Sequence, residues 1–278
     1  MISPAPPSDA DIARAAALLR GADGLLIGAG AGIGVDSGLP DFRGDHGFWR
    51  AYPPLAALGI RFAEIADPHH FDADPALAWG FYGHRLALYR ATVPHAGFAL
   101  LHELAARTAH GAFVFTSNVD GQFQRAGFGE DRIVECHGSI HHLQCTRPCC
   151  DAIWPADALA PQVDPATCRM APPLPTCPRC RAIARPNILM FNDGRWLAER
   201  TEAQYERFAA WRARVRRPAV IELGAGTHIP SVRRLCEAQG LSLVRINPRE
   251  PAVAAGKGVG IAAGALEALR RIHAILGE

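Results

Sequence analysis

Six of the eight cysteines lie between positions 145 and 180, in a pattern typical of a metal site. Cys177 and Cys180 are separated by two residues, and Cys145 forms a second pair with Cys149 or Cys150. Four thiolates in two close pairs are the usual ligands of structural zinc. We predict one zinc ion on Cys145, Cys149, Cys177 and Cys180, and prefer Cys149 to Cys150 because it closes the shorter loop. Clustered free thiols are the alternative.

A glycine-rich loop follows the first apolar run of the chain and contains Gly30, Ala31, Gly32 and Gly34. Glycines allow a sharp turn and let a phosphate approach backbone N–H groups closely. A helix beginning near Ile33 would direct its positive end at that anion. The glycines alone are a weak dinucleotide signal, because a tight strand-to-helix turn also uses them.

The residues that follow this loop carry more chemical information. Asp41, Phe42 and Arg43 come directly after a Gly-Leu-Pro turn and place an acid, an aromatic ring and a guanidinium together. A turn with a purely structural role does not need this combination. We therefore treat these three residues as part of a candidate site.

Further polar residues follow two predicted strands. Asn118 and Asp120 are separated by one residue, so in an extended chain they point the same way and can recognise a carboxamide. A helix N-cap is the alternative role for Asp120. His137 follows another strand and could act as a general base near neutral pH, although a lone histidine is more often structural.

Strands and helices alternate in the pattern of an α/β protein with a doubly wound parallel (Rossmann-like) sheet. Polar residues just beyond the strand ends lie where such sheets bind ligands. The predicted strands cover 22–27, 112–115, 132–136, 187–191, 219–223 and 242–246. The predicted helices cover 12–19, 75–92, 95–108, 196–215, 230–238 and 264–276, and residues 45–72 read as a long, partly helical loop.

The composition excludes several classes of protein. A net charge of +2 gives no argument for direct binding to nucleic acid. No apolar run is long enough to span a membrane, and the Pro-rich beginning of the sequence lacks the pattern of a secretory signal. Because disulfide frameworks spread their cysteines over the whole fold, the local clustering favours a reducing, cytoplasmic setting.

These motifs together resemble the sirtuin family of NAD-dependent protein deacylases. The first motif is Gly30-Ala-Gly32 followed by Gly38-Leu-Pro-Asp-Phe-Arg-Gly44, and the second is Thr116-Ser-Asn-Val-Asp-Gly121. Glu135-Cys-His-Gly-Ser139 resembles the third. The cysteine pairs, residues 185–191, Gly224-Ala-Gly226 and Ile246-Asn247 then follow in the family's order. The resemblance spans roughly residues 22–250, and the ordered set is more specific than any one motif.

The resemblance implies NAD as co-substrate and an acyl-lysine peptide or protein as partner. The implied catalytic residues are His137, Asn118 and Asp120. Asn118 and Asp120 would hold the nicotinamide end while the acyl oxygen displaces nicotinamide from the ribose C1′, and His137 would then take a proton from a ribose hydroxyl. The peptide would add as a strand beside Ile188, Leu189, Met190, Phe191 and Asn192. The implied cofactor-binding residues are Gly30, Ala31, Gly32, Gly34, Asp41, Phe42, Arg43, Ser117, Asn118, Asp120, His137, Gly224, Ala225, Gly226 and Asn247.

The sequence departs from the family pattern at several positions of this implied site. Gly34 replaces a usual serine, Ser117 a usual glutamine, and Asn192 a usual glycine at the substrate lip. Tyr82 and Arg85 could mimic the Tyr–Arg pair of succinyl-selective relatives, although an ordinary amphipathic helix is the alternative.

Three domain segments follow from this interpretation. Residues 1–44, 95–142 and 186–278 would form the Rossmann-like NAD-binding domain, 45–94 a helical cofactor-loop insertion, and 143–185 the zinc-binding module. An ADP-ribosyltransferase or NAD glycohydrolase using the same pocket is one alternative to the deacylase. A non-catalytic NAD- or acyl-peptide-sensing module is another, although simple binding does not require a base.

Overall fold

The computed structural model describes residues 7–41, 44–240 and 242–277. The strands are β1 (Gly24–Ala29), β2 (Ala112–Thr116), β3 (Ile133–Glu135), β4 (Gly138–Cys145), β5 (Ile153–Pro155), β6 (Val163–Asp164), β7 (Arg169–Met170), β8 (Ala184–Ile188), β9 (Pro218–Leu223), β10 (Leu243–Ile246) and β11 (Gly258–Ile261). The α-helices are α1 (Asp9–Leu19), α2 (Gly44–Ala51), α3 (Pro53–Ala57), α4 (Phe62–Ile65), α5 (His69–Ala73), α6 (Pro75–Ala91), α7 (Gly97–Ala106), α8 (Gln122–Arg125), α9 (Glu199–Arg214), α10 (Ser231–Glu237) and α11 (Ala265–Gly277). Short 3-10 helices cover Ala31–Ser37 and Glu130–Arg132.

The main sheet has six parallel strands in the order β11-β10-β9-β1-β2-β3. Strand β1 lies in the middle, and all six of its residues are buried, as expected for an apolar strand covered on both faces. The chain builds outward from β1 in one direction and then, from β9, in the other. The strand order therefore reverses between β1 and β9, which is where doubly wound sheets bind ligands.

Helices cover both faces of this sheet and confirm the predicted fold class. Ile12 of α1, Leu101 of α7 and Leu269 of α11 are buried in one apolar cluster on the first face. Trp211 of α9 and Val232 of α10 are buried in another cluster with residues of β1, β2 and β9. Among the described residues, no helix combines the length and the apolar character that crossing a membrane requires.

The insertion after the glycine-rich loop is more helical than the sequence predicted. Residues 45–72 were expected to be a long, partly helical loop, but α2, α3, α4 and α5 account for most of them. Their aromatic side chains pack on α6: Phe48 and Tyr52 lie 5.9 Å and 5.1 Å from the ring of Phe81. This aromatic core fixes the insertion as one wall beside the sheet's carboxyl edge.

A small antiparallel sheet in the order β5-β4-β8 connects the cysteine-rich module to the main domain. The sequence analysis missed β4 because its mixed residues, Gly-Ser-Ile-His-His-Leu-Gln-Cys, show no clean alternation. It placed the next strand at 187–191, whereas β8 ends at Ile188. It also missed β11, whose two glycines weaken the strand signal. Strand β4 crosses the predicted boundary at residue 143.

Candidate active site

A cavity of about 770 Å³ opens over the carboxyl ends of β1, β2 and β9. Its walls come from the loops after these strands, from the insertion and from the end of β8. The volume lies in the range of pockets that enclose cofactor-sized ligands. Its position coincides with the reversal of strand order.

The floor of the cavity is a backbone contact between the loops that follow β1 and β9. The N–H of Gly30 donates to Leu223 O at 3.0 Å, and that of Gly32 donates to Gly224 O at 3.1 Å. A Cβ at Gly30 would lie 2.7 Å from Ala225 Cα, and one at Gly32 would lie 2.7 Å from Gly224 Cα. These two glycines are therefore required by loop-to-loop packing, whatever ligand the loop binds.

The helix expected near Ile33 is a seven-residue 3-10 helix, Ala31–Ser37, that ends at Gly38 with φ of 83°. The side chain of His95 holds this 3-10 helix in place. Its Nδ1 accepts from Gly97 N at 3.0 Å, so its Nε2 carries the proton and donates to Ile33 O at 3.0 Å. A short 3-10 helix supplies a weaker dipole than a long α-helix, so its N-terminus would contribute little to binding an anion.

Asn118 and Asp120 both face the cavity from the loop after β2. The Asn118 side chain donates to Gly30 O at 3.2 Å, and its backbone N–H donates to Thr116 Oγ1 at 3.0 Å. Asp120 accepts from Gln122 N at 2.9 Å, and its backbone carbonyl accepts from the His141 ring at 2.9 Å. Burial raises the pKa of Asp120 to about 6, so the carboxylate is mostly ionised at neutral pH.

His137 lies between β3 and β4, and its side chain reaches the cavity wall. Burial lowers the pKa of this imidazole below its ordinary value, while a hydrogen bond to the backbone of Ser117 acts in the opposite direction. A neutral imidazole that donates one N–H has an unprotonated second nitrogen. His137 is therefore mostly neutral near pH 7, with one unprotonated ring nitrogen at the cavity wall.

Tyr82, Arg85 and Tyr89 line the cavity from α6. Arg85 is only 7% exposed, and its Nε lies 2.9 Å from the Tyr89 hydroxyl. Its guanidinium carbon lies 5.2 Å, 5.8 Å and 5.4 Å from the ring centres of Phe81, Tyr82 and Tyr89. The structure thus brings the Tyr82 and Arg85 pair to the cavity, with the cation held between aromatic rings.

The end of β8 forms a lip that is tied to the insertion. Phe191 N donates to Ala66 O at 2.9 Å, and Asn192, with φ of 55°, donates from Nδ2 to Asp67 Oδ2 at 3.0 Å. Below the lip, the buried Arg185 and Asp193 side chains form an ion pair at 2.8 Å. Asn192 therefore adds a side-chain bridge across this edge of the cavity.

The four predicted cysteine ligands meet in the inserted module. Cys145, Cys149, Cys177 and Cys180 place their sulphur atoms within 4.8 Å of one another. Two of these distances, Cys145–Cys180 at 3.5 Å and Cys149–Cys177 at 3.7 Å, are near the roughly 3.8 Å expected between tetrahedral ligands with Zn–S bonds of about 2.3 Å. The four-thiolate set fits a structural zinc ion, and every position is filled by protein.

A family model described as the Sir2 family matches residues 30–211. The chain belongs to the Sir2 family. It is similar to NAD-dependent protein deacylase 1 of Pseudomonas aeruginosa, with 34% identity over 236 residues that make up 84% of this chain and 86% of that protein. It is also similar to NAD-dependent protein deacylase 2 of Pyrobaculum aerophilum, with 31% identity over 243 residues, 85% of this chain and 84% of that protein.

The fold is also that of solved Sir2 structures. A crystal structure of a Sir2 homologue in complex with NAD superposes with a TM-score of 0.71 and 24% identity, covering 97% of this chain and 94% of that chain. The resemblance drawn from the motifs is confirmed by these comparisons.

Most of the sequence-predicted site residues of this Sir2-family chain line one cavity. They are Gly30, Ala31, Gly32, Asp41, Ser117, Asn118, Asp120, His137, Ile188, Leu189, Met190, Phe191, Gly224 and Gly226. Gly34 lies instead under Leu39, and Ala225 and Asn247 are buried behind the wall. Asn247 donates from Nδ2 to Ala225 O at 3.0 Å and so supports the β9 loop. The predictions for Phe42 and Arg43 concern positions outside the described residues.

Sequence reasoning missed several cavity residues of this Sir2-family chain. His228 and Ile229 line the cavity from the loop after β9, beyond its Gly-Ala-Gly motif. Glu250 reaches the wall because Asn247 Oδ1 accepts from its N–H at 3.0 Å, and no motif indicated this turn. His141 had no distinguishing pattern either, although it holds the Asp120 backbone.

Proposed function

We propose that this chain is an NAD-dependent protein deacylase that removes acyl groups from lysine and produces nicotinamide and an O-acyl-ADP-ribose. The observation that carries the proposal is the meeting of Asn118, Asp120 and the neutral base His137 in one cavity beside the glycine loops. Simple binding needs no base at this position. The names of the two relatives support the same activity.

Each loop has a part in holding NAD under this proposal. The loop of residues 30–34 faces the pyrophosphate, and the loop after β9 faces the adenosine half. Asn118 and Asp120 hold the nicotinamide carboxamide, because an amide oxygen and a carboxylate can both accept its N–H bonds. Bound NAD supplies a C1′ carbon from which nicotinamide leaves when the acyl oxygen attacks.

His137 performs the proton transfer that follows. Its unprotonated nitrogen accepts a proton from a ribose hydroxyl, which can then attack the acyl carbon. The substrate peptide lies as a strand beside residues 188–192, where backbone hydrogen bonds provide affinity. Because the zinc site needs reduced thiolates, we also infer a reducing compartment such as the cytoplasm.

Arg85 and Tyr82 suggest the acyl group itself. A guanidinium that is 7% exposed at the cavity wall favours a substrate group that carries negative charge. Arginine binds carboxylates through charge-assisted bonds, and the Tyr82 hydroxyl can donate a further one. We therefore propose that acyl chains ending in a carboxylate, such as succinyl, are preferred to acetyl.

The proposed activity is tested with NAD and matched peptides carrying acetyl-lysine or succinyl-lysine. We expect peptide-dependent formation of nicotinamide and O-acyl-ADP-ribose in equal amounts, and loss of the acyl product in His137→Ala. Free ADP-ribose formed without any peptide would instead assign a glycohydrolase. ADP-ribose attached to protein would assign a transferase.

The acyl preference has a separate test. Arg85→Met should lower kcat/KM for the succinyl peptide by about 10- to 100-fold, the worth of ~1.5–3 kcal/mol for hydrogen bonds to a charged group. The acetyl peptide should be affected far less, since it presents no carboxylate. Tyr82→Phe, which removes only a hydroxyl, should show a smaller effect of the same sign. Equal losses on both peptides would contradict the proposed preference.

A further inference from the structure

Strand β3 is the edge of the main sheet and has a strand neighbour, β2, on one side only. The backbone N–H and carbonyl groups of Glu135, at this edge, nevertheless have hydrogen-bond partners. Its N–H donates to Gln204 Oε1 at 2.9 Å, and its carbonyl accepts from Thr201 Oγ1 at 3.2 Å. Two side chains of α9 thus take the place of a neighbouring strand.

The first turns of α9 also hold the side chain of Glu135. Arg200 Nη2 lies 2.6 Å from Glu135 Oε2, and Gln204 Nε2 lies 3.4 Å from the same oxygen. Glu135, Thr201 and Gln204 are each 1% or 2% exposed. One residue of a three-residue strand is therefore bound at its N–H, its carbonyl and its carboxylate by one helix.

This arrangement is better explained by positioning than by stability. A buried ion pair is weak evidence for stability because desolvation offsets its attraction. Within the part of the chain that the structure describes, Glu135 Oε1 and Arg200 Nη1 are buried without a hydrogen-bond partner. The incomplete pairing of these two groups adds to the desolvation cost of the ion pair.

His137 is two residues beyond the point that α9 holds. Between them, Cys136 N donates to Thr116 O at 2.9 Å, and after them Leu189 N donates to His137 O at 3.0 Å. Gly138 has φ of 75°, and a Cβ there would lie 2.1 Å from Asn187 O. The backbone of His137 thus lies in a short segment that is held at both ends, and Glu135 is the end that α9 holds.

We propose that Arg200, Thr201 and Gln204 are positioning residues for His137, acting through Glu135. None of the three is among the residues that line the described cavity. Their role rests on the proposed deacylase function, in which the base acts only after nicotinamide has left. Losing the α9 contacts should therefore slow proton transfer while sparing the earlier step.

The test compares two rates in Thr201→Val and Gln204→Met. Exchange of labelled nicotinamide into NAD reports the first, reversible step, and O-acyl-ADP-ribose formation reports the step that needs His137. We expect exchange to stay within about twofold and product formation to fall by 10-fold or more, since a misplacement of about 1 Å can cost 100-fold. Thr201→Ser, which keeps the hydroxyl, should restore product formation.

Arg207→Met is the matched control, because Arg207 lies on the exposed face of the same helix. It should leave both rates unchanged. Proportional loss of both rates, or equal loss in the control, would overturn the proposal. So would unchanged product formation in both Thr201→Val and Gln204→Met.

A measurement without turnover keeps this inference separate from the proposed function. Nuclear magnetic resonance of labelled histidine rings follows the His137 titration directly, and the Thr201→Val and Gln204→Met variants should change its midpoint while Arg207→Met should not. If the wild-type protein formed no acyl product, the deacylase proposal would fail while this readout still tested the positioning. An unchanged His137 titration in both variants would refute the positioning role by itself.

Discussion

Burial displaces the pKa values of two cavity residues in opposite directions. It raises that of Asp120 to about 6, because the carboxylate loses its water, and it lowers that of His137, because the imidazolium does. The result at neutral pH is an anion beside a neutral base. Groups with values shifted in this way are concentrated at functional sites.

Asp120→Asn should stabilise the protein while lowering its proposed activity, because a neutral amide oxygen accepts more weakly from the carboxamide than a carboxylate does. The folded pKa of Asp120 lies above its unfolded value of 3.8, so its contribution to stability is complete below pH 3.8 and is lost as pH rises through about 6. At pH 7.5 the buried carboxylate therefore costs on the order of 2–3 kcal/mol, which Asn, still able to accept from Gln122 N, avoids. Thermal unfolding should show a Tm several degrees higher for the variant at about pH 7.5, and a smaller gain at about pH 5.5. A gain that did not change with pH would contradict this explanation.

The rate of product formation should depend on pH through the pKa of His137. Because that value is lowered, the base is neutral at pH 7, and activity should decline only below the ordinary histidine value of 6.5. Nicotinamide exchange does not use His137, so its decline near pH 6 should follow only the protonation of Asp120. Measuring both rates from about pH 5 to 8 separates the effect of His137 from that of Asp120. A decline in product formation with its midpoint above pH 7 would contradict the assignment of His137 as the base.

At the scale of elements, the loops after β1 and β9 form a single unit. The glycines of the first loop predicted a phosphate site, whereas the second loop was assigned to the cofactor only through the family resemblance. The structure adds that Gly32 and Gly224 meet backbone to backbone, where no side chain fits. Such a contact joins segments nearly two hundred residues apart, and local pattern carries no information about it.

Gly32→Ala should damage this unit, since the new Cβ would lie 2.7 Å from Gly224 Cα and 2.9 Å from Gly224 O. We expect a loss of about 1–3 kcal/mol in the free energy of unfolding, as for other overpacked sites, and a raised KM for NAD. Gly194→Ala is the control, because a Cβ there meets no atom within 4 Å. Its stability should stay within about 0.5 kcal/mol of the wild type, and a similar loss in both variants would exclude the loop contact as the cause.

Strands were predicted correctly where their local pattern of apolar residues was clear. The apolar strands β1, β2, β9 and β10 were found because each is a short buried run between polar loops. Strand β4 was missed because its polar residues are satisfied by tertiary partners such as Asn187, which donates to Gln144 Oε1 at 2.9 Å. Similarly, Glu250 lines the cavity and His141 contacts the backbone of Asp120. The turn and the strand register that bring them there are not encoded by any short motif.

At the scale of the whole molecule, the zinc module and the proposed base share a strand. β4 begins at Gly138, immediately after His137, and ends at Cys145, one of the four clustered cysteines. Seven residues of this strand therefore separate His137 from the first cysteine of the predicted metal site. We expect loss of the metal to affect catalysis, although the thiolates perform no chemistry.

Cys149→Ser and Cys150→Ser form a matched pair for this expectation. Cys149 belongs to the four-sulphur group, whereas Cys150 lies beside it, 3.7 Å from the Cys149 sulphur. Elemental analysis should find zinc lost or sharply reduced in Cys149→Ser and kept at one ion per chain in Cys150→Ser. Product formation should fall with the zinc content. The reverse pattern of zinc content would assign Cys150 as the ligand.

The pairing of β4 with β8, where the zinc module joins the main domain, has a consequence for how the chain folds. β4 and β8 leave and re-enter the main domain side by side, with Gly138 opposite Ile188. When β4 and β8 pair, the module between them no longer adds to the length of the loop that connects β3 to β9. Less than half of the residues between β3 and β9 then form the loop that must still be closed. Each halving of a loop lowers the entropy cost of closure by about 0.6 kcal/mol. A module that binds its ion early would therefore speed the docking of the second half of the sheet onto β1.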